Sequence, residues 1–178
     1  MSKPRILGGS AKGRALETPR SGTRPSPSRL REALFDIVAF EPRGRFLDLF
    51  AGSGAVGLEA ASRGFDAVLV ELAKPAAAVI ERNARDLGLS ARVVRGDATA
   101  YAARHPGEFD VVFAAPPYPQ DLEQVFRQVM SSGTARSGGL YVLQHPTGFS
   151  PALPSELAAA AHKLHRYGSN ALTTVRVP

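Results

Sequence analysis

Apolar positions along this chain follow two rhythms that take turns. Phe46, Leu47, Leu49 and Phe50 form a near-continuous apolar run, the pattern of a strand covered on both faces. Gly52 and Gly54 follow as a tight turn. Residues 55–63 then read as a helix, with Val56, Ala60 and Arg63 on the 3.6-residue period. The alternation continues downstream. Strands are expected at 67–71, 91–95, 109–114 and 139–145. Helices are expected from Pro75 to Leu87, closed by Gly88, and from Leu122 to Met130 with Leu122, Val125, Phe126 and Val129 on one face. Residues 154–161 are helix-compatible. Residues 163–167 and 171–177, separated by Gly168-Ser169-Asn170, predict a terminal strand pair.

The first 45 residues read differently. Arg5 to Leu16 places apolar pairs around a Gly/Ser/Lys turn and predicts a short hairpin. Pro19 to Ser28 is rich in Pro, Ser and Gly and predicts an extended loop. An amphipathic helix is expected from an N-cap at Ser28 to about Phe40, with Leu30, Leu34, Ile37 and Val38 inward. The chain therefore divides into a hairpin-and-loop arm, 1–27, and one α/β domain, 28–178. Strands alternating with helices imply a mostly parallel sheet with right-handed crossovers.

In such a sheet ligands gather at the carboxyl ends of the strands. Asp48, Gly52, Glu71, Asp97 and the Pro116-Pro117-Tyr118 turn all fall at expected strand ends. Gly52, Gly54 and Gly57 match the dinucleotide spacing, which leaves a nicotinamide dinucleotide open. Asp48 argues against it, because a carboxylate in the strand end repels a pyrophosphate. That charge suits a cationic ligand, such as the amino group and sulfonium of S-adenosylmethionine. The helix after the turn is expected to aim free N–H groups at the same ligand. Glu71 lies where an acid accepts from ribose hydroxyls. Asp97 can accept from an adenine amine, cap the next helix, or both, with Ala98 against the ring edge. Pro116 and Pro117 stiffen a turn whose carbonyls have no competing N–H, and Tyr118 can stack on a flat base.

Composition narrows the classes. The absence of Cys excludes disulfides, thiolate nucleophiles and cysteine zinc sites, and no metal ligand set is evident. No apolar run is long enough to span a bilayer and no signal-peptide pattern is present, so a cytoplasmic protein is expected. A monomer is the default. Residues 1–45 hold ten Lys/Arg against four acids, an excess that equals the net charge of +6 for the whole chain. That asymmetry points to a polyanion gripped by the N-terminal part. Arg5, Lys12, Arg14, Arg24 and Arg29 are the candidate phosphate contacts. Arg29 and Arg31 in the first turn of a helix oppose its dipole, a cost that an anion would relieve.

Four segments carry a family resemblance. They are residues 5–14 (Arg-Ile-Leu-Gly-Gly-Ser-Ala-Lys-Gly-Arg), residues 23–35 beginning Thr-Arg-Pro, residues 47–60 around the glycine turn, and residues 109–113 leading to Pro116-Pro117-Tyr118. The closing Tyr167-Gly168 and Leu172 also fit. Together they resemble the 16S ribosomal RNA guanine-N2 methyltransferases, the RsmD family, over nearly the whole chain. The resemblance implies a Rossmann-like class I methyltransferase: a seven-stranded, mostly parallel sheet with an antiparallel last strand, preceded by the hairpin and helix. It implies S-adenosylmethionine as donor, S-adenosylhomocysteine as product, and a guanine of small-subunit 16S rRNA as acceptor. By position, Asp48, Phe50, Ala51, Gly52 and Gly54 would hold the methionine part, Glu71 the ribose, and Asp97 and Ala98 the adenine. Ala115, Pro116, Pro117 and Tyr118 would face the target amine.

One departure matters. The family usually carries Asp or Asn where this chain has Ala115. A smaller one is Ser28, where the family often has Asp. One lost hydrogen bond costs about 1–3 kcal/mol, roughly 10–100-fold in rate. A catalytically weak RNA-binding assembly factor therefore stands as an alternative, as does a DNA amino-methyltransferase.

Overall fold

The computed structural model describes residues 3–20, 27–117 and 121–178. Helix α1 (Ser28–Val38) leads into β1 (Arg45–Leu49), α2 (Ala55–Ser62), β2 (Asp66–Glu71), α3 (Lys74–Asp86) and β3 (Ala91–Arg95). Then come α4 (Ala98–Arg104), β4 (Phe109–Ala114), α5 (Leu122–Ser131), β5 (Ala135–Pro146), a 3-10 turn (Ser155–Leu157), β6 (His162–Tyr167) and β7 (Asn170–Arg176). The strands form one seven-stranded sheet in the order β3-β2-β1-β4-β5-β7-β6. β1, β2, β3, β4 and β5 pair in parallel, and β7 runs antiparallel between β5 and β6. The expected sheet, with its antiparallel last strand, is the one observed. Its order reverses between β1 and β4, so the crossovers leave those two strands in opposite directions and open a crevice above their carboxyl ends.

The two faces are covered by different helices. On one, Ala98 and Ala102 of α4 and Phe126, Val129 and Met130 of α5 pack on Leu47, Leu49, Val112 and Leu143. On the other, Leu30, Leu34, Phe35 and Val38 of α1 pack on Phe46, Phe113 and Val142. Leu58 of α2 and Ile80 of α3 pack on Leu69. Alternate residues of each strand face opposite helix layers, which is why these strands read as continuous apolar runs.

The N-terminal segment lies on α2 rather than apart from it. Ile6, Ala11 and Leu16 are buried in the same cluster as Leu58 and Leu69. The expected hairpin is present but short: Ile6 N–H donates to Arg14 O at 2.9 Å, Gly13 N–H to Ile6 O at 2.8 Å and Leu16 N–H to Pro4 O at 2.8 Å around one antiparallel bridge, Arg5 to Ala15, while the backbone groups of its turn bond to α2. Glu59, fully buried, accepts Leu7 N–H at 2.8 Å and Gly8 N–H at 2.9 Å. Ser62 Oγ donates to Gly8 O at 2.6 Å and accepts from Ala11 N at 2.9 Å. Gly9 has φ +80°, and a Cβ there would sit 1.9 Å from Ser62 O. No side chain fits between the turn and the helix end.

Several local expectations are corrected. Helix α2 is buried on every residue from Ala55 to Ser62, so it has no polar face of its own; the sheet covers one side and residues 6–11 the other. Helix α1 starts at Ser28 rather than being capped by it: Pro27 is the N-cap and gives no side-chain cap bond. It stops at Val38, leaving Phe40 at 91% exposure. Arg31 is buried at 2% exposure, its Nε lies 3.5 Å from Glu59 Oε1, and it donates to Arg5 O at 2.6 Å. The charge that looked like a phosphate contact therefore belongs to the core, which relieves the dipole cost internally. Residues 154–161 form only the 3-10 turn, because just Leu157 and Ala160 are buried there besides Pro154 and no apolar stripe spans two turns. β5 begins four residues before Gly139, and its pairing with β4 shifts register between Phe109 and Val111.

Glu59 is the joint between the N-terminal segment and the sheet. Glu59→Ala leaves Arg31 without its buried carboxylate and orphans two N–H groups. It is expected to lower the unfolding free energy by about 3–5 kcal/mol in urea titrations. A change below 1 kcal/mol would contradict this account.

Candidate functional site

A cleft of about 1590 Å³ opens above the carboxyl ends of β1, β2, β3 and β4. Its walls include Asp48, Phe50, Ala51, Gly52, Glu71, Asp97, Ala98, Ala115, Pro116 and Pro117. The structure thus brings together residues spread over 70 positions of sequence. Gly54 lies behind this wall as the N-cap of α2, with φ 82°. Tyr118 and Arg24 lie outside the described residues.

The β1–α2 turn is held from two sides. Asp48 is 1% exposed, and its Oδ2 accepts Gly57 N–H at 2.9 Å. Ser53 Oγ accepts Ala55 N–H at 3.3 Å. The free N–H groups expected at this helix start are therefore partly consumed by the chain itself, and less is left for a ligand. Phe50 has φ 60°, unusual for a bulky residue, and it sits at the cleft wall. Gly57 shows why the third glycine is there: a Cβ would approach Leu69 Cγ to 2.3 Å. It serves close packing of α2 on β2.

Glu71 ends β2 and grips the turn from the neighbouring strand. Its Oε1 accepts Gly52 N–H at 2.7 Å and its Oε2 accepts Ala73 N–H at 2.7 Å. Each oxygen keeps a second lone-pair direction for a ligand hydroxyl. Asp97 caps α4, accepting from Ala100 N at 2.9 Å and from Thr99 Oγ1 at 2.8 Å. Those bonds hold its carboxyl below the ordinary value. Leu72, 68% exposed beside Glu71, adds an apolar surface at the rim that the sequence reading passed over. Gln144 and Asn170 on β5 and β7 also line the cleft and were also missed. Gln144 carried a signal: it is the first polar residue after Leu140-Tyr141-Val142-Leu143, two residues before β5 ends.

Of the candidate phosphate contacts, Arg5, Lys12, Arg14 and Arg29 are exposed. Arg5 is partly engaged, donating to Gly13 O at 2.9 Å. Arg20 adds a further cation at the cleft itself. Among the described residues no group of three or more His, Asp or Glu could hold a metal ion. No described helix is long and apolar enough to cross a membrane.

The family described as Conserved hypothetical protein 95 matches residues 4–176. The chain is 34% identical over 166 residues to the Escherichia coli protein named ribosomal RNA small subunit methyltransferase D, covering 90% of this chain and 84% of that one. It belongs to the RsmD methyltransferase family. A solved hypothetical protein from Thermus thermophilus is 50% identical to this RsmD-family chain. It superposes with a TM-score of 0.85 over 98% of this chain and 99% of its own. The Thermus thermophilus 16S rRNA N2 methyltransferase RsmC, solved with AdoMet and guanosine, is 21% identical with a TM-score of 0.72. That match covers 99% of this chain and 50% of the other, and shares the fold alone.

Burial makes Asp48 of this RsmD-family protein a titrating group. Removal from water pushes its carboxyl up to about 7, against the Gly57 hydrogen bond; the nearby Glu71 charge adds to the rise. The folded chain thus holds this proton more tightly than the unfolded chain, whose carboxyl titrates near 3.8. Between about pH 4 and 7 the folded state carries the extra proton, so stability falls as pH rises. The full effect is about 4 kcal/mol, absent below pH 4 and complete above pH 7. Asp48→Asn keeps the acceptor for Gly57 and removes the titration. Its unfolding free energy should lose that slope, measured by denaturant titration across pH 4–8.

Proposed function

We propose that this chain transfers the methyl group of S-adenosylmethionine to the exocyclic N2 amine of a guanine in 16S ribosomal RNA of the small subunit. The observation that carries the proposal is the single cleft that gathers Asp48, Glu71, Asp97 and Ala115-Pro116-Pro117 at the sheet's switch point. Its support from relatives is the resemblance to small subunit methyltransferase D.

The cleft residues fit the donor. Asp48 is a buried carboxyl whose charged form is costly away from water, and a cationic ligand beside it offsets that cost. Glu71 offers acceptors for ribose hydroxyls, while Asp97 and Leu72 offer an acceptor and an apolar face for adenine. When bound, S-adenosylmethionine supplies a methyl carbon on a positively charged sulfur, a good leaving group: the N–CH3 bond forms as the S–CH3 bond breaks, the sulfur departs with its electron pair as S-adenosylhomocysteine, and N2 releases one proton to water. The protein's own work is alignment. Pro116 and Pro117 hold the β4 end rigid, and the chain excludes water with Phe50, Phe113 and Val56. A guanine inside a helix cannot present its amine, so the base is turned out of its stack into the cleft. Arg5, Lys12, Arg14 and Arg29 hold the phosphates around it, with Arg24 on the same segment.

Ala115 favours a second reading. A wall with a methyl where an acceptor helps the amine fits a binding factor that senses the donor without turning it over. Label from the donor's methyl group decides between the two. With small ribosomal subunits as acceptor, label is expected at a guanine N2. Folded protein that binds the donor by calorimetry and leaves the RNA unlabelled would establish the second reading. Transfer to DNA in preference to ribosomal RNA would replace both.

A further inference from the structure

Methyl transfer to an aromatic amine has a chemical requirement that position 115 does not meet. The nitrogen's lone pair is delocalised into the ring, and a hydrogen-bond acceptor at its N–H helps turn that pair toward the methyl carbon. Ala115 offers none. The acceptors nearby are mostly committed. Asp48 is buried and bonded to Gly57 N–H, Asp121 accepts Gln124 N–H at 3.1 Å to cap α5, and Asp97 caps α4.

Strand register identifies a free one. β4 and β5 are parallel, and their last paired residues are Ala114 and Leu143. One step further, Ala115 and Gln144 leave the ladder side by side, with strands spaced about 4.8 Å apart. They share a face. Ala114 and Leu143 point into the α4–α5 layer, whereas Phe113 and Val142 point into the α1 layer, where Ala115 also packs. Alternation puts Gln144 on that same α1 side. Its partner across β7, Leu172, is in the α1 layer too. Asn170, two residues before Leu172 and at the start of β7, falls on the same face, diagonal to Gln144. Ala115, Gln144 and Asn170 all line the cleft. Neither carboxamide bonds to another described residue.

We infer that Gln144 supplies the acceptor for the target amine, from β5 instead of β4, with Asn170 beside it as a second polar contact to the base. This rests on the methyl-transfer reading above. A carboxamide suits the task in a way that a carboxylate does not. Its oxygen accepts from the amine while its NH2 donates to the unprotonated ring nitrogen next to that amine, N3 in guanine. One neutral side chain thereby makes a two-point contact to the edge that reacts. A buried pair of this kind also rejects a base that lacks the amine, because the carboxamide oxygen is then left unpaired.

The test uses the full chain as wild type, Gln144→Ala, and Gln144→Ala combined with Ala115→Asn. With small ribosomal subunits as acceptor, Gln144→Ala is expected to lower kcat roughly 10–100-fold while the KM for S-adenosylmethionine stays within about twofold. Ala115→Asn in that background restores an acceptor on the neighbouring strand and is expected to recover about tenfold. A residue that merely packs would shift donor KM and melting temperature together and would not be rescued from position 115. Wild-type kcat in Gln144→Ala overturns the inference.

A second arm is independent of turnover. Guanosine and inosine differ by the N2 amine alone, and their binding is compared by calorimetry with S-adenosylhomocysteine present. Wild type is expected to favour guanosine, and Gln144→Ala to lose that preference. Equal binding of the two nucleosides by wild type, or a preference retained by Gln144→Ala, overturns the inference. A wild type that favours guanosine but transfers no methyl overturns the methyl-transfer reading and leaves amine recognition by Gln144 in place.

Discussion

One hydrogen bond, from Gly57 N–H to Asp48 Oδ2 at 2.9 Å, joins the end of β1 to the first turn of α2. It places a carboxyl in the interior with only partial compensation, which is why that carboxyl rises to about 7. The rest of the site is arranged around this strained corner. Glu71 holds Gly52 from β2, Ser53 closes the first N–H of α2, and Phe50 is forced to positive φ at the wall. A corner stabilised only by its own bonds would not need an ionisable group. The same group facing a cleft can be stabilised by a positive ligand, so the fold stores there a preference that binding satisfies.

Helix α2 carries this arrangement to the N-terminal segment. Its start touches the cleft through Asp48 and Gly57, and its later turns hold residues 6–11 through Glu59 and Ser62. The exposed cations Lys12 and Arg14 therefore sit on a segment packed against the same helix whose Val56 lines the cleft. In the proposed function, a polyanion held by this segment lies beside the helix whose first turn lines the cleft. Arg31 and Arg63 contribute differently: both neutralise Glu59 inside the joint, and their charge is spent on the fold.

In the proposed reaction, recognition of the base falls on the side of the switch point away from Glu71. The β4, β5 and β7 ends place a methyl and two carboxamides in one row, while the β1, β2 and β3 ends place three carboxylates. The charged half suits a cation with a sugar and the neutral half suits a planar base. Strand order sorts these residues into two halves, because the sheet grows in both directions from β1 and β4.

Much of this was legible in the chain. Continuous apolar runs ending in Asp48, Glu71, Asp97 and Pro116 announce a parallel sheet and its ligand edge, since only strands buried on both faces look that way and their polar ends mark where burial stops. The third and fourth strands were read with their observed limits, 91–95 and 109–114. Local patterning failed where partners are distant. Nothing near Glu59 says that it will be fully buried between Arg31 and the amides of Leu7 and Gly8, and nothing near Arg31 distinguishes it from a cation for RNA. The single-turn fate of residues 155–157 and the kinship of Ala115 with Gln144 are likewise invisible to local sequence. Sequence periodicity encodes which side of an element is wet or dry. Which residue meets which across the sheet depends on register and crossover direction, and those are settled only when the whole layer closes.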